Sequence, residues 1–95
     1  MRVWKYPLSM TSPNYEIPMP AGAQILDVQA QHDVPCLWAL VDPTQPPETR
    51  RFVMVGTGHP FEWDGVEGEW VGTFQLMGGA FVVHLFELQH IDGKE

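Results

Sequence analysis

The stretch "AFVVHLFELQH", residues 80–90, can be read as a helix or as a strand, and the class of the whole chain turns on it. Its apolar content tolerates a helix. The adjacent Val82 and Val83, the spacing of Phe81 and Phe86, and the Gly78-Gly79 pair just before it favour a strand, because β-branched and aromatic side chains pack on a pleated surface and lose rotamers in a helix. Just upstream lies "EWVGTFQL", residues 69–76, separated from it by Met77-Gly78-Gly79. Two apolar runs joined by a short glycine turn predict a β-hairpin.

Working outward, "PCLWALV" (residues 35–41) is apolar at every position. Such a strand is central in a sheet or covered on both sides. "RRFVMVGTG" (residues 50–58) is similar, and with the proline-rich "DPTQPPETR" (42–50) read as a loop, the two are expected to form a hairpin. "AQILDVQAQH" (23–32) alternates, placing Leu26, Val28 and Ala30 on one face and Asp27, Gln29 and Gln31 on the other. Asp33 is expected to turn the chain. "RVWKYPL" (2–8) reads as a short first strand ending at a proline, and residues 9–22 as a loop with a brief extended piece at Tyr15 to Ile17.

Nine glycines and nine prolines interrupt any longer helical period. The expectation is an all-β, mainly antiparallel domain, a small sandwich or barrel of six or seven strands, with one short helix at 80–90 as the alternative. At 95 residues and 44% hydrophobic, the chain can bury one core. Residues 1–95 are therefore expected to form a single domain with a frayed tail at 91–95.

Twelve acidic against five basic residues give a formal charge of −7, with no basic run able to neutralise successive phosphates. Long nucleic acid is not expected as a partner. A small phosphorylated ligand remains compatible, since it needs one or two cations and some backbone amides. Cys36 is the single cysteine and cannot form an internal disulfide. Together with the lack of a secretory pattern, this points to a reducing cytoplasm. No apolar stretch approaches the roughly 20 residues of a bilayer span, so no membrane association is expected.

The chemistry-bearing candidate is "GTGHP", residues 56–60. Its glycines permit positive φ or close backbone approach, Thr57 offers a hydroxyl, and Pro60 holds His59 in extended backbone. It lacks the lysine and spacing of a phosphate-binding Walker loop. It is read either as a sheet corner or as a ligand loop, with Thr57, Gly58 and His59 as ligand contacts and Arg50 or Arg51 as countercharge. In a strand those arginines face opposite sides. Trp63 and Trp70, which bracket an acidic loop, are candidate stacking surfaces; Trp38 is read as core. No metal ligand set is expected, because His84, His90 and Cys36 repeat no zinc spacing and "EWDGVEGE" lacks a calcium-loop ladder. No cofactor is expected. With no convincing nucleophile or acid–base set, the chain reads as a non-enzyme. Strands apolar on both faces in so short a chain predict a homo-oligomer, a dimer or higher.

The blocks "WKYPL", "MPAGAQILDVQAQHDVPCLWALVDP", "RRFVMVGTGHP" and "GTFQLMGGAFVVHLFE" resemble an uncharacterised family of small bacteriophage and prophage proteins of about this length. The resemblance covers nearly the whole chain and implies an accessory protein in an infected bacterial cytoplasm. It also implies a role in evading host defence, in which an oligomer sequesters a small nucleotide-like signal. An interaction module that blocks a host protein through the acidic, aromatic loop 61–70 is the other expectation.

Overall fold

The structure is a computed structural model that describes residues 1–61 and 66–90. The tail at 91–95 and Trp63 lie outside the described residues. Seven strands run in chain order as β1 (Arg2–Pro7), β2 (Asn14–Pro20), β3 (Gln24–Gln31), β4 (Val34–Val41), β5 (Pro47–Gly56), β6 (Val66–Leu76) and β7 (Phe81–His90), with a short 3₁₀ turn at Met77–Gly79. They form two antiparallel sheets, β1-β4-β3 and β2-β5-β7-β6. Residues 80–90 are strand from Phe81 onward, and the fold is all-β. Among the described residues no helix is long and apolar enough to cross a membrane.

The core lies between the sheets. Leu37, Ala39 and Val41 of β4 face Phe52 and Met54 of β5, Phe74 and Leu76 of β6, and Val83 and Leu85 of β7, all buried. β4 and β5 are the apolar strands the sequence singles out, and each has a neighbour on both sides. Their outer faces are only partly covered within the chain: Trp38, read from sequence as core, lies with Leu40 on the outer side of β4, and both are half-buried there. Cys36 is buried on the outer side of β4, where Lys5 Nζ of β1 donates to Gln31 Oε1 of β3 at 2.8 Å, a diagonal that crosses β4 at Cys36. Val53 and Val55 are buried on the outer side of β5, where the returning chain stacks Phe61 on Phe86 with ring centroids 5.9 Å apart.

Three further expectations are corrected. β4 and β5 do not form a hairpin: they belong to different sheets. The Asp42 carboxylate accepts from the amide and hydroxyl of Thr44, bonds that hold it below the usual carboxylate range, and Gln45 N–H closes onto Asp42 O. That turn carries the chain across the core, and β5 begins at Pro47, opposite Pro20. Second, residues 14–20 are a full strand; Pro18 and Pro20 are tolerated because β2 is an edge, where a missing N–H can face away from its partner. Third, the alternation of β3 breaks at a bulge between Ile25 and Asp27. Leu26 is left 45% exposed while Ile25 packs on the core, and the Asp27 carboxylate takes the Val28 amide at 2.8 Å.

The sheets meet along β3 and β6. β6 has its own bulge between Trp70 and Gly72, and a Cβ at Gly72 would lie 2.8 Å from Cγ1 of the fully buried Val28. Gly72 therefore sets how closely the edges approach. A second tie is Arg50 of β5. Its guanidinium pairs in a bidentate fashion with the buried Glu87 of β7 and donates from Nη1 to Ala23 O at 2.8 Å, just before β3. The Glu87 hydrogen bonds push the Arg50 pKa above its ordinary value.

Removing one partner of that pair, as in Arg50→Ala or Glu87→Ala, should cost about 3 kcal/mol in urea denaturation, whereas Arg50→Met with Glu87→Leu should restore most of the loss. Gly72→Ala should cost about 1–3 kcal/mol by overpacking. In a double-mutant cycle, Val28→Ala should be less costly in the Gly72→Ala background than in the parent; strict additivity would refute the contact.

Candidate functional site

β5 ends at Gly56, and the next three residues close a tight turn in which His59 N–H donates to Gly56 O at 3.0 Å. Gly58 has φ of 84°, the third-position geometry of a type II turn, where a Cβ would be strained. A Cβ at Gly56 would lie 2.8 Å from His59 Nδ1, so that glycine lets the imidazole lie against the backbone. Thr57 N–H donates to Val82 O at 3.1 Å. Two amides of the loop are thus bonded internally, and "GTGH" is built as a corner that displays two side chains rather than as a ring of open donors.

Those side chains, Thr57 and His59, border a cleft of about 1000 Å³ at one end of the sandwich. Its floor is core: Met54, Leu76 and Val83. One wall is the β1–β2 connection, Met10 to Pro13, together with Tyr15. The Tyr15 hydroxyl donates to Ser9 O at 2.7 Å and pins this wall to β2; burial pushes its phenol pKa up, which keeps the donor. The other wall is Met77, Ala80, Phe81 and Val82. Met77 has φ of 52° and is held there by its N–H donating to Asp33 Oδ1 at 2.8 Å. His32 and Asp33, both at positive φ, form the two-residue β3–β4 turn, so this bond joins hairpin tips from opposite sheets.

The other sequence candidates lie elsewhere. Arg50 is engaged with Glu87 and Ala23, near the opposite end of β5. At a strand rise of about 3.3 Å per residue, Arg50 and Thr57 are roughly 20 Å apart. Arg51 faces the other side of the sheet, opposite Glu16 and Leu88, half-buried and not on the cleft. Trp70, 60% exposed, lies on the outer face of β6. It reaches Thr57 through a chain of side chains: Trp70 Nε1 to Thr73 Oγ1 at 3.1 Å, Thr73 Oγ1 to His84 Nδ1 at 2.9 Å, and His84 Nε2 to Thr57 Oγ1 at 2.8 Å. Sequence reading missed Met10 to Ser12, Tyr15, Phe81 and Val82 as cleft residues. The clue available for the last two was their position directly after a glycine turn, at the open end of a strand.

The chain belongs to the DUF7352 family. The family model, a domain of unknown function, matches residues 1–93, so it takes in every element described above. No curated protein and no solved structure matches this DUF7352 chain. Among its described residues, no group of three or more His, Cys, Asp or Glu side chains is placed to hold a metal ion.

The hydrogen-bond chain favours one tautomer. Trp70 N–H can only donate, and the Thr57 hydroxyl donates to Val82 O at 3.3 Å, which leaves its oxygen to accept from His84 Nε2–H. Nδ1 then accepts the Thr73 hydroxyl proton. Nitrogen NMR of the imidazole should show neutral His84 as the Nε2–H form, a preference that Thr73→Val should weaken; a dominant Nδ1–H form would overturn this ordering.

Proposed function

We propose that this chain is a non-enzymatic binding protein that holds a small, nucleotide-like ligand in the cleft beside Thr57 and His59. In the setting implied by its resemblance to phage proteins, it acts as an oligomeric accessory protein that sequesters such a ligand in the host bacterial cytoplasm. The observation that carries the reading is the cleft itself: its floor is core side chains, and its rim leaves Met10, Met77 and Phe81 more than half exposed. Apolar surface held open to water costs about 25 cal/mol per Å², a cost that a bound ring removes. Phe81 and Tyr15 offer aromatic surface to a base, and the His59 imidazole borders the cleft where an anionic group would meet it, while Thr57 Oγ1, whose proton goes to Val82 O, is left to accept from a ligand N–H. Cys36, the strongest nucleophile by type, is buried in the other sheet and does not border the cleft, which supports a binding rather than a catalytic role.

The second reading, a module that blocks a host protein through residues 61–70, draws support from Trp70, which is exposed on an edge strand that also carries Glu67 and Glu69. Residues 66–70 belong to strand β6 rather than to a loop, and residues 62–65 lie outside the described residues.

Titration of the labelled protein with adenosine 5′-monophosphate, followed by backbone NMR, should move the amides of residues 57–59 and 81–83. His59→Ala should weaken binding about 10-fold with an unchanged melting temperature. Shifts confined to 66–73 would instead favour the outer face and the second reading.

A further inference from the structure

We infer that the cleft selects a flat heterocycle carrying at most one phosphate group, and discriminates against ligands with two or more phosphates. This rests on the proposal that the cleft is the binding site. The described lysine and arginine residues are Arg2, Lys5, Arg50 and Arg51, and none of them borders the cleft. The acidic or basic side chains that do are Asp33 and His59, and the Asp33 carboxylate is already used to hold Met77 N–H. Among the described residues a second phosphate would find no lysine or arginine and one carboxylate, in a chain of formal charge −7. The turn amides of Thr57 and His59 are bonded to Val82 O and Gly56 O, so they do not supply the missing donors.

What the cleft offers instead is area with polar edges. Met10, Met54 and Met77 place three thioethers around it alongside Phe81 and Tyr15, a combination suited to the faces of a ring. Hydroxyls stand on both walls. Ser12 Oγ accepts from Asn14 N–H at 3.2 Å and keeps its own proton for a ligand acceptor, and Thr57 and His59 stand on the opposite wall. Polar groups on two sides of an apolar slot match a heterocycle with hydrogen-bonding edges. They do not match an acyl chain, which is polar at one end only.

Calorimetric titrations of the full chain with adenosine, adenosine 5′-monophosphate, adenosine 5′-triphosphate and a cyclic dinucleotide, each at low and high salt, separate the possibilities. Adenosine and the monophosphate are expected within about 10-fold of each other, the triphosphate and the dinucleotide at least 10-fold weaker than either, and the first two only weakly dependent on salt. Phe81→Ala, at a 54% exposed position that leaves the core intact, should weaken adenosine and monophosphate alike. Tighter binding of the triphosphate or dinucleotide, falling steeply with salt, would overturn the selectivity while leaving the cleft as a ligand site. If no probe bound, the parent reading would fail with it.

Discussion

The Arg50 guanidinium is the interaction on which the arrangement of the two sheets depends. It sits on β5, engages a carboxylate on β7 and a carbonyl at the entry to β3, and so connects three segments that are remote in sequence and belong to both sheets. Burying Glu87 is tolerable because the bidentate partner satisfies both of its oxygens. The polar end of the sandwich is thereby closed, with Glu48 also within 3.8 Å of the same guanidinium. The opposite end has no equivalent ion pair among the described residues and is closed by Asp33 and Met77, leaving an apolar floor accessible to solvent.

The seam between the sheets depends on a second constraint, the absence of a side chain at Gly72. Two bulges face each other there, one on β3 and one on β6, and each uses a local device to absorb its extra residue. In β3 the Asp27 carboxylate takes up the Val28 amide; in β6 the missing Cβ accommodates Val28 itself. The seam holds β3 and β6 in register, and β7 carries that order on to Val82 and His84, the residues that receive Thr57.

Local pattern was sufficient for the elements that depend on nearest neighbours. The 69–88 hairpin, the central position of β4 and the turn at Asp33 were all legible, since each follows from apolar runs, glycine and turn chemistry within about 20 residues. What was not legible depended on distant partners. The bulge in β3 lies where β6 packs against it, a contact remote in sequence, so Leu26 could not be told from Ile25 as the inward residue. β5 was joined to the wrong strand because two apolar runs separated by prolines look like a hairpin, whether or not the turn at Asp42 carries the chain across the core. The site follows the same division. That Thr57 and His59 occupy one exposed corner was readable from "GTGHP". That Arg50 is committed to Glu87 was not, because the partner of a strand charge is set by pairing between residues far apart in the chain.

The proline placement has a further consequence for how copies of the chain can meet. Two sheet edges, β3 and β6, turn toward each other at the seam, which leaves β1 and β2 as the edges open to another strand. β2 carries Pro18 and Pro20, and β1 ends at Pro7, so the outward row of amide donors is interrupted on both. A foreign strand would find continuous hydrogen-bonding templates only along the short runs Arg2 to Tyr6 and Asn14 to Ile17. Assembly through side chains on the sheet faces is therefore the route this architecture leaves open, and runaway cross-strand polymerisation is the one it obstructs.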